Sequence, residues 1–179
     1  FNCRHYWLKK GLDHIWSNRS FGDEAVIDLG VGKNMVSSIR FWVKAFGLVD
    51  PNDYSPNEIA HFIFDDAIGV DPYCEDLGTV WLLHYLLVTT GQASIYSYVF
   101  NDFRKHRVEF TREHLFQFMA KQHDLLDQKF SDKSLEKDVG VFFNNYLISN
   151  AKKAGVEDKY AGLLHELDLL RKVEKDVYK

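Results

Sequence analysis

The apolar residues Met35, Ile39, Trp42, Val43 and Phe46 fall at i, i+4, i+7, i+8 and i+11, which is one continuous face of an α-helix. Leu135, Val139, Phe142, Phe143 and Tyr146 repeat that spacing one hundred positions later, each behind a Lys-Asn or Lys-Ser pair. A chain patterned in this way folds by burying helix faces against one another. With 3 Pro and 11 Gly in 179 residues and little strand-like alternation, the sequence predicts a mainly α protein and disfavours sandwiches and barrels. Hydrophobic content of 46% against 27% charged supports a real core, since a chain of this length hides roughly 70% of its unfolded surface.

The local signals divide the chain into elements. A first helix is predicted over 6–17, a Gly22-Asp23 turn follows, and a short helix covers 24–29. Gly30-Val31-Gly32 interrupts it, and the amphipathic helix from Asn34 is closed by Gly47 as a cap of positive φ. Short helix, glycine turn and amphipathic helix together make a helix-turn-helix signature. Leu48-Val49 reads as a minimal strand and Asp50-Pro51-Asn52-Asp53 as a turn, the place of a small wing. Ser55-Pro56-Asn57-Glu58 reads as a capping box, with Pro56 at the first helical position. An apolar helix over 76–88 and an aromatic one over 94–103 form the expected centre of the core. Thr111 caps a helix to about 122, Ser134 starts the next, and these two make a candidate second helix-turn-helix. A charged, Leu-rich helix is expected over 157–179. The resulting division is a winged helix-turn-helix over 1–70, a central helical pair over 71–110 and a second helix-turn-helix with a C-terminal helix over 111–179.

The formal net charge of −4 argues against indiscriminate coating of nucleic acid. Its distribution says more. Residues 51–100 hold seven acids and no Lys or Arg, and no basic side chain lies between Lys44 and Arg104. A phosphate backbone is repelled along that segment, while both flanks can supply positive contacts. Asn34, Ser37, Arg40 and Lys44, with Ser38 and Phe41, occupy the polar face of the amphipathic helix, and side chains of these types read base edges or hold phosphates. The same residues equally suit a plain solvated face.

Chemistry is sparse. No nucleophile elbow, P-loop, zincin motif or dinucleotide fingerprint is present. Gly30-Val31-Gly32-Lys33 lacks phosphate-loop spacing and is assigned to the turn. Asp65, Asp66, Glu75 and Asp76 flank a short loop and are candidate ligands for a divalent ion, although such acids are more often caps, and Asp76 stands where a helix N-cap is favoured. His84 lies within an apolar helix and reads as a core histidine, and His61, His106, His114 and His123 are unclustered. Cys3 and Cys74 lack zinc-ligand spacing and read as two reduced thiols of a cytoplasmic protein. No run approaches the ~20 apolar residues of a membrane span, and no leader is expected from the given residues, which show no basic-then-apolar pattern. The start at Phe1 rather than Met leads us to expect residues upstream.

Phe1-x-x-Arg4-x-x-Trp7-Leu8-x-Lys10-Gly11 and the run Leu29-Gly30-Val31-Gly32-Lys33-Asn34-Met35-Val36-x-Ser38-Ile39-Arg40-x-Trp42 resemble a bacterial family once catalogued as a domain of unknown function. Asp71-Pro72-Tyr73, Leu77-Gly78-Thr79-x-Trp81-Leu82-Leu83-His84-Tyr85, Val99-Phe100-Asn101 and Ser134-Leu135-x-Lys137-Asp138-Val139 extend the resemblance over nearly the whole chain. The family pattern also has a Gly-His pair just upstream of the Phe. Members stand in gene clusters for DNA phosphorothioation, and SspB-like proteins are the best-known type. The resemblance implies a DNA-binding protein that nicks DNA beside a cysteine desulfurase, an ATPase and an ATP-pyrophosphatase-type enzyme. Some branches stand beside sulfate-activating reductase-like genes, so nicking need not extend to all.

The combined expectation is a DNA-binding protein of a phosphorothioation or related defence system. Arg4, Lys9, Lys10, Lys33, Asn34, Ser37, Arg40, Lys44, Lys133 and Lys137 are the expected contacts to double-stranded DNA. No cofactor is expected apart from Mg2+ should the protein nick DNA. The expected partners are duplex DNA, the phosphorothioation proteins and a second copy as a homodimer, with no membrane. A non-enzymatic helix-turn-helix regulator or adaptor is the alternative, and RNA binding a weaker one.

Overall fold

The structure is a computed structural model that describes residues 1–125, 131–148 and 162–179. It is mainly helical, and it divides into two compact units, Phe1–Gln92 and Ala93–Lys179. The two helices expected to form a central pair belong one to each unit.

The first unit begins with α1 (Trp7–Trp16), α2 (Ala25–Asp28) and α3 (Lys33–Ala45). Both α1 and α2 pack on α3. Ile39, Trp42, Val43 and Phe46 are buried as their spacing demands, and Val36 is more deeply buried than the half-exposed Met35. The polar face carrying Asn34, Ser37 and Arg40 is exposed. Gly30 sits at φ +60 in the turn between α2 and α3, and Gly47 at φ +64 closes α3. The first turn joins α2 to α3.

After α3 the backbone doubles back over residues 48–57. The Asp50 amide donates to the Ser55 carbonyl at 2.9 Å, and Val49 and Pro56 form a single antiparallel bridge. That extended geometry corrects the capping box. Pro56 is held in the bridge rather than in a helix, and α4 (Glu58–Phe64) starts two residues later with Asn57 as its cap, whose Oδ1 accepts from the Ala60 amide at 3.0 Å. The Asn57 side-chain amide also donates to the Gly47 carbonyl at 2.7 Å, so one residue closes α3 and opens α4. α5 (Leu77–Thr89) is capped by Asp76, as read from the sequence.

The second unit opens with α6 (Ser94–Tyr98), which runs through a π-helical turn (Val99–Phe103) into α7 (Arg104–His106). α8 (Arg112–Leu125) is capped by the Thr111 hydroxyl, which accepts from the His114 amide at 3.1 Å. α9 (Asp132–Tyr146) starts two residues earlier than expected, because Ser131 caps it. Its predicted face, Leu135, Val139, Phe142, Phe143 and Tyr146, is wholly buried, and α8 packs on α9. Residues 126–130, the turn of the candidate second helix-turn-helix, lie outside the described residues.

Over residues 162–179, the described part of its span, the expected C-terminal helix is not formed. Part of its span lies outside the described residues. The rest is a 3-10 turn (Leu163–Leu167) followed by a two-stranded antiparallel hairpin, β1 (Lys172–Glu174) and β2 (Val177–Tyr178). Asp168 at φ +49 ends the turn and Asp176 at φ +61 makes the hairpin reversal. Tyr178 decides the outcome: it bridges to Phe110, its ring lies 4.5 Å from that of Phe143, and such contacts outweigh local helix preference.

Candidate nucleic-acid interface

The exposed face of α3 is built by its register. Once Ile39, Trp42 and Val43 are buried, Lys33, Asn34, Ser37, Arg40 and Phe41 must face outward, with Lys44 half-buried beside them. The Arg40 guanidinium lies 4.7 Å above the Tyr54 ring, and the Phe21 ring stands 6.3 Å from Tyr54. A cavity of about 430 Å³ is lined by Phe21, Ser37, Arg40, Phe41, Lys44 and Tyr54 among others. A second of about 440 Å³ shares Phe21, Arg40 and Tyr54 and adds Arg19. The surface is therefore cationic and aromatic together, which suits a polyanion with flat, stackable bases.

Tyr54 reaches this place through an uncommon backbone. It sits at φ +61, its amide donating to the Asp50 carbonyl at 3.1 Å, at the end of the Asp50-Pro51-Asn52-Asp53 turn. A non-glycine residue in that region costs energy that the Arg40 and Phe21 contacts help to offset.

The other expected cations are placed differently. Lys33 is exposed and 3.3 Å from the exposed Asp23. Arg4 is half-buried, its guanidinium 5.2 Å from the Trp7 ring centre. Lys10 donates to the Leu29 carbonyl at 2.8 Å and ties α1 to the end of α2. Lys9 is buried and ion-paired with Asp13 and, at 2.7 Å, with Asp66. Burial pushes the Lys9 pKa down, and the hydrogen bonds its ammonium donates to both carboxylates more than restore it, leaving it raised. Lys133 and Lys137 are exposed on α9 in the second unit.

Three of the four acids, Asp65, Asp66 and Asp76, have separate work. Asp65 accepts from the Ala67 and Ile68 amides at 2.8 and 3.1 Å, which holds its carboxyl below the usual range. Asp66 pairs with Lys9. Asp71, not among the four, accepts from the Glu75 and Asp76 amides, and Asp76 caps α5. Among the described residues no three His, Cys, Asp or Glu side chains gather as a metal site. A magnesium ion bound by Asp65, Asp66, Glu75 and Asp76 together does not fit this arrangement.

A family model described as a protein of unknown function, DUF4007, matches residues 1–179. The chain belongs to the DUF4007 family. It is also similar to two solved structures, titled "Magnesium ion-bound SspB crystal structure" (TM-score 0.82) and "SspB crystal structure" (TM-score 0.81). Each is 28% identical, and the match covers 100% of this chain and 57% of the other. The DUF4007 chain thus spans a little over half the length of those SspB chains. No curated protein matches it.

Two members of the α3 surface escaped the sequence reading. Phe21 and Tyr54 stand in turns, where aromatic periodicity carries no information. The turn before Tyr54 was legible from its composition, but the positive φ that aims the ring at Arg40 was not. In the DUF4007 chain Cys3 and Cys74 are both buried, and burial pushes the Cys3 thiol well up. Among the described residues no helix is long and apolar enough to cross a membrane.

Proposed function

We propose that this DUF4007 chain binds duplex DNA as part of an SspB-like protein of a phosphorothioation or related defence system. On this reading α2, the Gly30 turn and α3 form a helix-turn-helix, and residues 48–57 form its small wing. One observation carries it: the outward face of α3 presents Asn34, Ser37, Arg40 and Lys44 together, beside the aromatic pair Phe21 and Tyr54. The likeness to SspB structures over the whole chain supports the system.

In the major groove the first turns of such a helix meet base edges. Asn34 is suited to adenine, Arg40 to guanine or phosphate, and Phe41 to a thymine methyl group. Lys33 and Lys44 would hold phosphates on either side. Lys9 and Lys10, engaged within the protein, would act by fixing α1 and α2 rather than by touching DNA.

Fluorescence anisotropy with a labelled duplex tests the proposal. The Arg40→Ala/Lys44→Ala variant should bind more weakly, and its log-log salt slope should shrink by about 0.9 per lost phosphate contact. Unchanged affinity and slope would sink the assignment. Nicking is a separate question, decided by a supercoiled plasmid with Mg2+ or EDTA. An EDTA-sensitive loss of the supercoiled band would assign nicking to this chain, whereas an intact plasmid would leave it a DNA-binding regulator or adaptor.

A further inference from the structure

We propose that the outer face of α5 docks a basic amphipathic helix of a protein partner, an interaction independent of the DNA-binding reading. The sequence of α5, LGTVWLLHYLLVT, contains no Asp, Glu, Lys or Arg. Val80, Leu83, Leu87 and Val88 are buried on its inner side together with His84. On the outer side Leu77, Trp81 and Tyr85 recur at i, i+4 and i+8 and are 49%, 45% and 63% exposed. A surface helix ordinarily carries charge on that side, and a helix apolar all round is ordinarily covered. Single exposed apolar residues need no explanation, but a row of three large ones on an uncharged helix marks a contact surface.

Charge selects the occupant. No Lys or Arg occurs between Lys44 and Arg104, and that segment also exposes Phe62, Ile68, Val70 and Tyr73. At the head of α5 stand the exposed carboxylates Glu75 and Asp76, with Asp71 kept ionised by the amides of both. A second copy would press two such acidic segments together, and a phosphate-rich surface would be repelled in the same way. A helix with Leu or aromatic residues at i, i+4 and flanking Lys or Arg satisfies both the apolar row and the acids.

The test uses the full chain and a labelled synthetic Leu/Lys amphipathic helix of about five turns, with a Leu/Glu helix as its charge-reversed control. The Leu/Lys helix should bind at least about tenfold more tightly than the control, and Trp81→Ala/Tyr85→Ala should weaken it at least about tenfold. Glu75→Gln should flatten the salt dependence. Duplex binding by these variants should be unchanged, which separates this surface from α3. Tyr85→Lys, with its far-UV circular dichroism checked, gives a second, repulsive variant. The proposal falls if the Leu/Lys helix binds every variant equally. It also falls if sedimentation shows a dimer that Trp81→Ala/Tyr85→Ala dissociates, or if phosphatidylserine vesicles compete through the same residues.

Discussion

Gly11 stands in the middle of α1, where alanine is ordinarily the better helix former by about 1 kcal/mol. Here a Cβ would lie 2.8 Å from both Ile39 Cγ2 and Val43 Cγ1 of α3, so the glycine lets two helices approach closely. Gly11→Ala should therefore destabilise the protein by about 1–3 kcal/mol, the usual cost of overpacking; a variant at least as stable in urea as the wild type would contradict this contact. His84 makes a pH-dependent contribution. Burial pushes its imidazole from an ordinary 6.5 to about 4, so the folded state keeps it neutral while the unfolded chain takes up a proton below 6.5. Its contribution is intact above pH 6.5 and is lost as pH falls toward 4, by roughly 2 kcal/mol between pH 7 and pH 5. Urea titrations at both values should show a smaller pH loss for His84→Gln than for the wild type, and equal losses would refute the assignment. The histidine's burial was legible from its apolar helix, whereas the need for a glycine at position 11 was not, because its neighbours Ile39 and Val43 are distant in sequence.

At the scale of elements, periodicity gave the helices and tertiary contacts gave their ends. The faces of α3 and α9 follow from spacing, which buries all five predicted side chains of α9 and four of the five of α3, because 3.6 residues per turn puts them on one side. Their starts and neighbours were less legible. Ser55 through Glu58 carries every local feature of a capping box, yet the bridge between Val49 and Pro56 takes Ser55 and Pro56 for extended chain and leaves the cap to Asn57. Asn57→Ala should accordingly cost about 1 kcal/mol or more, since it loses the cap on α4 and the bond to Gly47. Ser55→Ala should change stability by no more than about 0.5 kcal/mol. Thermal melts of the two variants decide between caps, and the reverse order would restore the local reading. The tail shows the same limit, for its charged and leucine residues suit a helix until Phe110 and Phe143 offer Tyr178 a sheet partner and a ring to pack on.

For the molecule as a whole, the division at Gln92 and Ala93 makes a direct prediction. Residues 1–92 contain α1, α3, α4 and α5 with their buried faces, so this fragment should melt cooperatively on its own and keep the duplex affinity of the α3 surface. A fragment that gives no cooperative transition would show that the unit depends on the rest of the chain. The sequence by itself determined that the protein is helical, which faces of α3 and α9 are buried, and that its positive charge is confined to the flanks of an acidic middle. These are properties of order along the chain, set by periodicity and composition. Tertiary structure alone decided that Lys9 is an internal ion pair, that Asp65, Asp66 and Asp76 serve as turn acceptor, ion-pair partner and helix cap, and that Tyr54 lies under Arg40. Each depends on groups distant in sequence meeting in space, where burial and pairing fix what a side chain does.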